Sequence, residues 1–192
     1  GAMSASVAPS ALALVGFTVI DLTRVLAGPI STQILADLGA RVIKVEQPGS
    51  GDDSRAIGPF IDGVSAYFMS VNRNKESIAL DLKKPDDRSV FERLLARADV
   101  LVENYRPGTM DKLGYSWEAL HRRFPRLVMT SVSGFGQTGP YCGFPAYDMV
   151  VQAMSGMMSV TGHPDSGPCR VGVSIGDLGA GLYAVIGTQA AL

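Results

Sequence analysis

Val15-Gly16-Phe17-Thr18-Val19-Ile20-Asp21-Leu22 is a mostly apolar run, followed by Ala27-Gly28-Pro29 and then by Arg41-Val42-Ile43-Lys44-Val45-Glu46. The first and last of these stretches read as strands. Between them Pro29 stands at a tolerated first-turn position of a helix. Ile30, Ile34, Leu35 and Leu38 give that helix an apolar face, and Gly39 ends it. The chain thus opens with a β-α-β unit.

Working outward, residues 47 to 63 form a loop rich in Gly, Asp, Ser and Pro. A short helix is expected over Ser65 to Val71, a strand over Ser77 to Leu82, a helix over Pro85 to Ala98 and a short strand over Asp99 to Glu103. Two short helices, Pro107 to Leu113 and Ser116 to Phe124, lead to a strand from Leu127 to Ser133. A Gly/Pro loop spans 134 to 147, a helix runs from Met149 to Met158, and Leu178, Leu182, Val185, Ile186 and Gln189 recur at helical spacing near the end. Strands alternating with helices predict an α/β fold: a Rossmann-like open parallel sheet with helices on both faces.

A length of 192 residues suffices for one substantial domain, and a formal charge of −1 leaves no basic excess for nucleic acid. Cys142 and Cys169 lack metal-ligand spacing, and His121 and His163 are the only histidines, so neither a metal site nor a disulfide scaffold is expected. Unpaired thiols point to a cytoplasmic protein. The apolar tail from Val171 is rich in glycine and interrupted by Asp177, which favours a buried helix over a membrane span. Residues 1 to 13 read as a tag remnant, Gly1-Ala2-Met3, with a flexible leader. Ala190-Ala191-Leu192 stops in mid-pattern without a C-cap glycine, so the chain is expected to be a fragment or to meet its partner surface on another segment.

Gly134-Phe135-Gly136-Gln137-Thr138-Gly139 matches the spacing of a dinucleotide fingerprint, but that motif works only when a helix begins inside it. Pro140, Gly143 and Pro145 prevent one, so NAD and FAD are excluded and the glycines read as a loop that approaches a ligand. Val25 to Pro29 lies after the first strand, where open α/β sheets bind ligands and where helix-start amides hold phosphates. Lys83 and Lys84 are read as the end of one strand, Asn104-Tyr105-Arg106 ends the next, and Lys112 follows a helix turn or two later. Singly these are surface charges; jointly they make a rim for a phosphorylated, nucleotide-like ligand.

Asp177 is the one charged residue from Val171 to Leu192, set in Ser174-Ile175-Gly176-Asp177-Leu178-Gly179. An ionised carboxylate is costly to bury without partners. Two readings stand side by side: an N-cap aspartate on a buried helix, or a functional carboxylate with space left above it by glycines. Asp148, after Tyr147, reads as the N-cap of the helix from Met149.

Taken in order, several segments resemble the class III CoA-transferase family, which includes formyl-CoA and carnitine CoA-transferases and 2-methylacyl-CoA racemases. They are Asp21-Leu22-Thr23 with Val25-Leu26-Ala27-Gly28-Pro29, Asp37-Leu38-Gly39-Ala40, Val42-Ile43-Lys44-Val45-Glu46, Pro48-Gly49-Ser50-Gly51-Asp52, Asn72-Arg73-Asn74-Lys75, Ala98 to Gly108, and Gly176-Asp177. The resemblance implies that 14 to 192 are the N-terminal part of the CoA-binding large domain. A small domain and a C-terminal return would lie outside the chain, and the full-length protein would form an interlocked homodimer. It further implies transfer of CoA between an acyl-CoA and a carboxylic acid acceptor, with no permanently bound cofactor, and Asp177 as nucleophile.

The positions matching the family's CoA contacts are Val25, Leu26 and Ala27 by backbone, then Gln47, Leu80, Lys83, Asn104, Tyr105, Arg106 and Lys112. Tyr147 and Asp148 match a pair beside the acyl site, and both join Asp177 in the expected catalytic set. At position 47 the family often has an arginine on adenine, where this chain has glutamine. Racemases of the family have a histidine where this chain has Tyr147, so one of two opposed acid/base groups is missing. Transfer therefore outranks racemisation, with a non-catalytic CoA-binding module as a third reading.

Overall fold

The computed structural model describes residues 12–192; the expected tag and leader up to residue 11 lie outside the described residues. The elements in chain order are β1 (Thr18–Asp21), α1 (Ala27–Asp37), β2 (Arg41–Glu46), a 3-10 turn (Asp53–Ala56), β3 (Phe60–Ile61) and β4 (Val64–Ser65). Then come α2 (Ala66–Ser70), β5 (Lys75–Ala79), α3 (Pro85–Leu95), β6 (Val100–Glu103), α4 (Thr109–Lys112), α5 (Trp117–Arg123) and β7 (Val128–Ser131). The last are α6 (Asp148–Met154), a second 3-10 turn (Met157–Val160) and α7 (Ile175–Ala191).

Five strands form one sheet in the order β5-β2-β1-β6-β7, with every pairing parallel. Parallel neighbours need crossovers, and the crossover helices cover both faces. Ile20, Ile43 and Leu101 point to one side, where Phe91 and Leu95 of α3, Met110 of α4 and Leu120 of α5 pack on them. Val19, Val42, Val100 and Val102 point to the other, beneath Leu35 and Ala36 of α1 and Val185 of α7. This alternation along each strand is what gives the sheet two cores. The chain leaves β1 toward β2 on one side and reaches β6 on the other, so the topological switch point lies between β1 and β6.

Several local expectations shift. The strand expected over Ser77 to Leu82 is Lys75–Ala79 instead, because its register against β2 runs from Val42↔Lys75 to Glu46↔Ala79. Lys83 and Lys84 therefore lie on the turn that enters α3, still at the C-terminal edge of the sheet. The loop of 47 to 63 contains a 3-10 turn and the first strand of a small hairpin. The helix expected over Met149 to Met158 breaks after Met154, where Gly156 takes φ 82°, a left-handed conformation that ends the helix and restarts it as a 3-10 turn.

α7 crosses α1 closely. A Cβ on Gly181 would sit 2.4 Å from Ile30 Cγ2 and 2.8 Å from the Ala27 carbonyl oxygen, so only glycine fits this contact. The buried residues of α7 are Gly181, Val185 and Thr188; of the expected Leu178, Leu182, Val185, Ile186 and Gln189, only Val185 is among them. Leu182 and Ile186 point outward with Tyr183.

Candidate active site

The C-terminal edge of the sheet collects the expected ligand residues in spatial order. Lys83 follows β5, Gln47 follows β2, Thr23 to Val25 follow β1, and Asn104 to Arg106 follow β6. From β5 to β6 is three strand spacings, about 14 Å, a span suited to an extended ligand.

At the switch point two adjoining clefts meet on Asp177. One of about 220 Å³ is lined by Arg24, Val25, Leu26, Ala27, Asp53, Asn104, Ala146, Tyr147 and Asp177. The other, about 200 Å³, adds the Val132–Gly134 turn, Val151, Gly176 and Ala180. A third opening of about 160 Å³ continues along Asn104, Tyr105, Arg106 and Phe144 to Tyr147. The largest cleft, about 700 Å³, lies on the α4/α5 side of the β6–β7 edge and touches Arg106, Met110 and Trp117. It contains neither Asp177 nor the β1–α1 turn, so its size does not make it the reactive centre.

The structure thus brings together Val25, Leu26, Ala27, Asn104, Tyr105, Arg106, Tyr147 and Asp177. Gln47, Lys83 and Lys112 are exposed on the outer rim rather than in these clefts. Leu80 is buried in the core, where its amide donates to the Glu46 carbonyl. Only its position below the rim agrees with a ligand contact.

Asp177 is not an N-cap. Ser174 occupies that place, and Asp177 is the third residue of α7. Among the described residues its carboxylate accepts no hydrogen bond. Burial first, and the nearby charge of Asp148 second, push its pKa above the usual carboxylate value. A desolvated carboxylate without hydrogen-bond donors is more basic and more nucleophilic than one in water.

Asp148 is not the N-cap of its own helix either. Tyr147 takes that position without a side-chain bond. Asp148 reaches across to α7 instead: its Oδ1 accepts from the Gly176 amide at 2.8 Å, and its Oδ2 accepts from Gln152 Nε2 at 2.7 Å. Gln152 in turn accepts from the Val171 amide at 2.8 Å. Asp148 therefore caps the helix that carries Asp177 and supplies the charge beside it. Tyr147, by contrast, is 76% exposed and stands open in all three clefts.

The β1–α1 turn is held residue by residue. Lys44 Nζ donates to the Thr23 carbonyl at 2.7 Å. Asn104 takes both backbone groups of Arg24, accepting from its amide and donating to its carbonyl, each at 2.8 Å. Asp52 Oδ1 accepts from the Val25 amide at 3.1 Å. Asn104 is thus first a clamp on the turn, and Val25 has only its carbonyl left for a ligand. Leu26, the N-cap of α1, makes no side-chain bond, which leaves helix-start amides for an anion.

Sequence reading missed Lys44, Asp52, Gln152 and Tyr67. The burial that raises the Tyr67 phenol pKa is reinforced by the charges of Asp177 and Asp52, which places this ring near the same centre. For Lys44 the signal was available: a lysine inside an otherwise apolar strand needs a buried partner. Gln152 and Tyr67 carry no such mark in the sequence.

An open parallel α/β sheet thus carries a half-buried carboxylate at its switch point, a row of polar and cationic groups along the same edge, and helix-start amides between them. The chain belongs to CoA-transferase family III, whose profile matches residues 14–192. It is 55% identical over 178 residues to the acetyl-CoA:oxalate CoA-transferase of Acetobacter aceti, covering 92% of this chain and 46% of that protein. It is 48% identical to the succinyl-CoA:glutarate CoA-transferase of Homo sapiens, covering 89% of this chain and 39% of that one. A crystal structure of a CAIB/BAIF family protein from Brucella suis superimposes with a TM-score of 0.89 at 45% identity, over 93% of this chain and 48% of that chain. The chain spans about half the length of the curated relatives it matches. No helix among the described residues is long and apolar enough to cross a membrane.

Proposed function

We propose that this chain is the nucleophile-bearing part of an acyl-CoA:carboxylate CoA-transferase that works through an aspartyl intermediate. The observation that carries this reading is Asp177 itself: a half-buried carboxylate without donors among the described residues, facing a cleft shared with the helix-start residues Leu26 and Ala27. The Asp177 carboxylate attacks the thioester carbonyl, the C–S bond breaks, and CoA leaves as thiolate with the electron pair, giving a mixed anhydride. The thiolate then attacks the aspartyl carbonyl, releasing the donor acid and leaving an aspartyl-CoA thioester. The acceptor carboxylate attacks that thioester and expels CoA thiolate, giving a second mixed anhydride. The thiolate then attacks its acceptor acyl carbon, forming the new acyl-CoA and releasing the Asp177 carboxylate. No step needs a net proton, which suits a site without a histidine.

Along the rim, Arg106, Lys83 and Lys112 meet the phosphates of CoA, with Gln47 beside the nucleotide end. Tyr147 borders the acyl site. The family names of the relatives support a dicarboxylic or other small carboxylic acid as acceptor. A small domain, a C-terminal return and an interlocked homodimer complete the full-length enzyme. The two free thiols, Cys142 and Cys169, suit a reducing cytoplasmic compartment.

The test uses the full-length enzyme. Acyl-CoA with hydroxylamine should trap a hydroxamate on the peptide containing Asp177, and Asp177→Ala should reduce exchange to background. Normal exchange by that variant sinks the reading.

A further inference from the structure

Val25 is a β-branched residue with φ 70°, a left-handed conformation that such side chains adopt only under constraint. Its neighbour in space is a buried ion pair: Lys44 Nζ lies 2.8 Å from Asp52 Oδ2, with side-chain exposures of 2% and 1%. A buried pair of this kind is weak evidence for stability, since hydrophobic replacement is often neutral or stabilising. Here both members point their remaining valences at one turn. Lys44 donates to the Thr23 carbonyl and Asp52 accepts from the Val25 amide. Asp52 is itself fixed from the far side, by the Glu46 carboxylate on its amide at 2.9 Å and by the Ser54 amide and hydroxyl on Oδ1.

We propose that Lys44 and Asp52 are positioning residues for the ligand: their buried pair holds Val25 in its left-handed conformation and so sets Leu26 and Ala27 against the cleft of Asp177. Neither residue lines that cleft, and neither touches the reacting atoms. Two unfavourable features, a strained valine and a desolvated ion pair, meet at the one turn on which ligand binding depends, and each is the reason for the other. The inference rests on the CoA-transfer reading for its kinetic consequence, though not for the geometry it assigns to the turn.

If the pair acts by holding φ of Val25 positive, glycine at that position should replace its effect, because glycine adopts positive φ without penalty. In the full-length enzyme, Asp52→Asn is expected to raise KM for acyl-CoA about tenfold, the scale of one weakened charged hydrogen bond. KM for the carboxylate acceptor should stay unchanged and kcat should fall less. Amide hydrogen exchange over residues 23 to 27 should accelerate in the same variant, and Asp52→Asn with Val25→Gly should recover most of the lost affinity. Lys44→Gln, which keeps a donor for Thr23 while removing the charge, should show the same KM shift and the same recovery if Asp52→Asn folds poorly. Wild-type KM and wild-type exchange in both variants overturn the proposal, as does a loss that follows unfolded fraction alone with no recovery by glycine. Absence of transfer by the wild-type enzyme defeats the CoA-transfer reading instead, and the exchange measurement then still decides whether the pair holds the turn.

Discussion

Asp177 and Asp148 divide one task between two carboxylates. Asp148 is tied down by the Gly176 amide and Gln152, whereas Asp177 has no donor among the described residues and feels the charge of Asp148 beside it. The sign of the coupling sets a prediction. In the proposed mechanism only ionised Asp177 attacks the thioester, so kcat/KM should fall as pH drops through its raised pKa. Asp148→Asn removes the neighbouring charge, lowers that pKa, and should move the acid limb of the pH–rate profile to lower pH. An unmoved limb, or one moved upward, contradicts the assignment. Asp148→Ala removes the cap on α7 as well, so thermal unfolding of that variant should show a loss of about 0.5–2 kcal/mol.

At the scale of elements, the contact between α1 and α7 governs the site, because Asp177 and Gly181 are one helical turn apart on the same face of α7. Gly181→Ala puts a methyl against Ile30 and the Ala27 carbonyl, and overpacking of this kind costs about 1–3 kcal/mol. Urea unfolding should register that loss, and kcat should fall because α7 must back away and carry Asp177 with it. The β-α-β opening, the parallel sheet and the two-sided helix layers were legible in the sequence because they follow from local apolar periodicity. Asp177 was legible as an isolated charge. Its place in the helix was not, since capping depends on whether Ser174 or Asp177 lies where the backbone leaves the extended conformation. Nor was the reach of Asp148 from one helix to another, a contact between residues 28 positions apart. The buried face of α7 was legible only at Val185: glycine and threonine pack beside it while Leu182 and Ile186 face out, and periodicity alone ranks the larger side chains as core.

For the molecule as a whole, those outward side chains gather into a surface. Leu182, Tyr183 and Ile186 of α7 are each more than half exposed, as are Met149 and Met154 of α6, the helix in contact with α7. Apolar patches of this kind on soluble proteins mark contact surfaces. The 192-residue chain by itself is therefore expected to sediment as more than one copy at micromolar concentration, and Leu182→Lys with Ile186→Lys should return it to a monomer. A wild-type chain that stays monomeric throughout refutes this. The arrangement of α7 also has a consequence in time. The rim proposed to meet the ligand is built from residues 23 to 112, but the proposed nucleophile, Asp177, is carried by α7. At about 5–20 residues per second, a ribosome needs a few seconds to travel from β7 to Asp177. On the CoA-transfer reading, a nascent chain would carry its ligand rim for those seconds before its nucleophile exists.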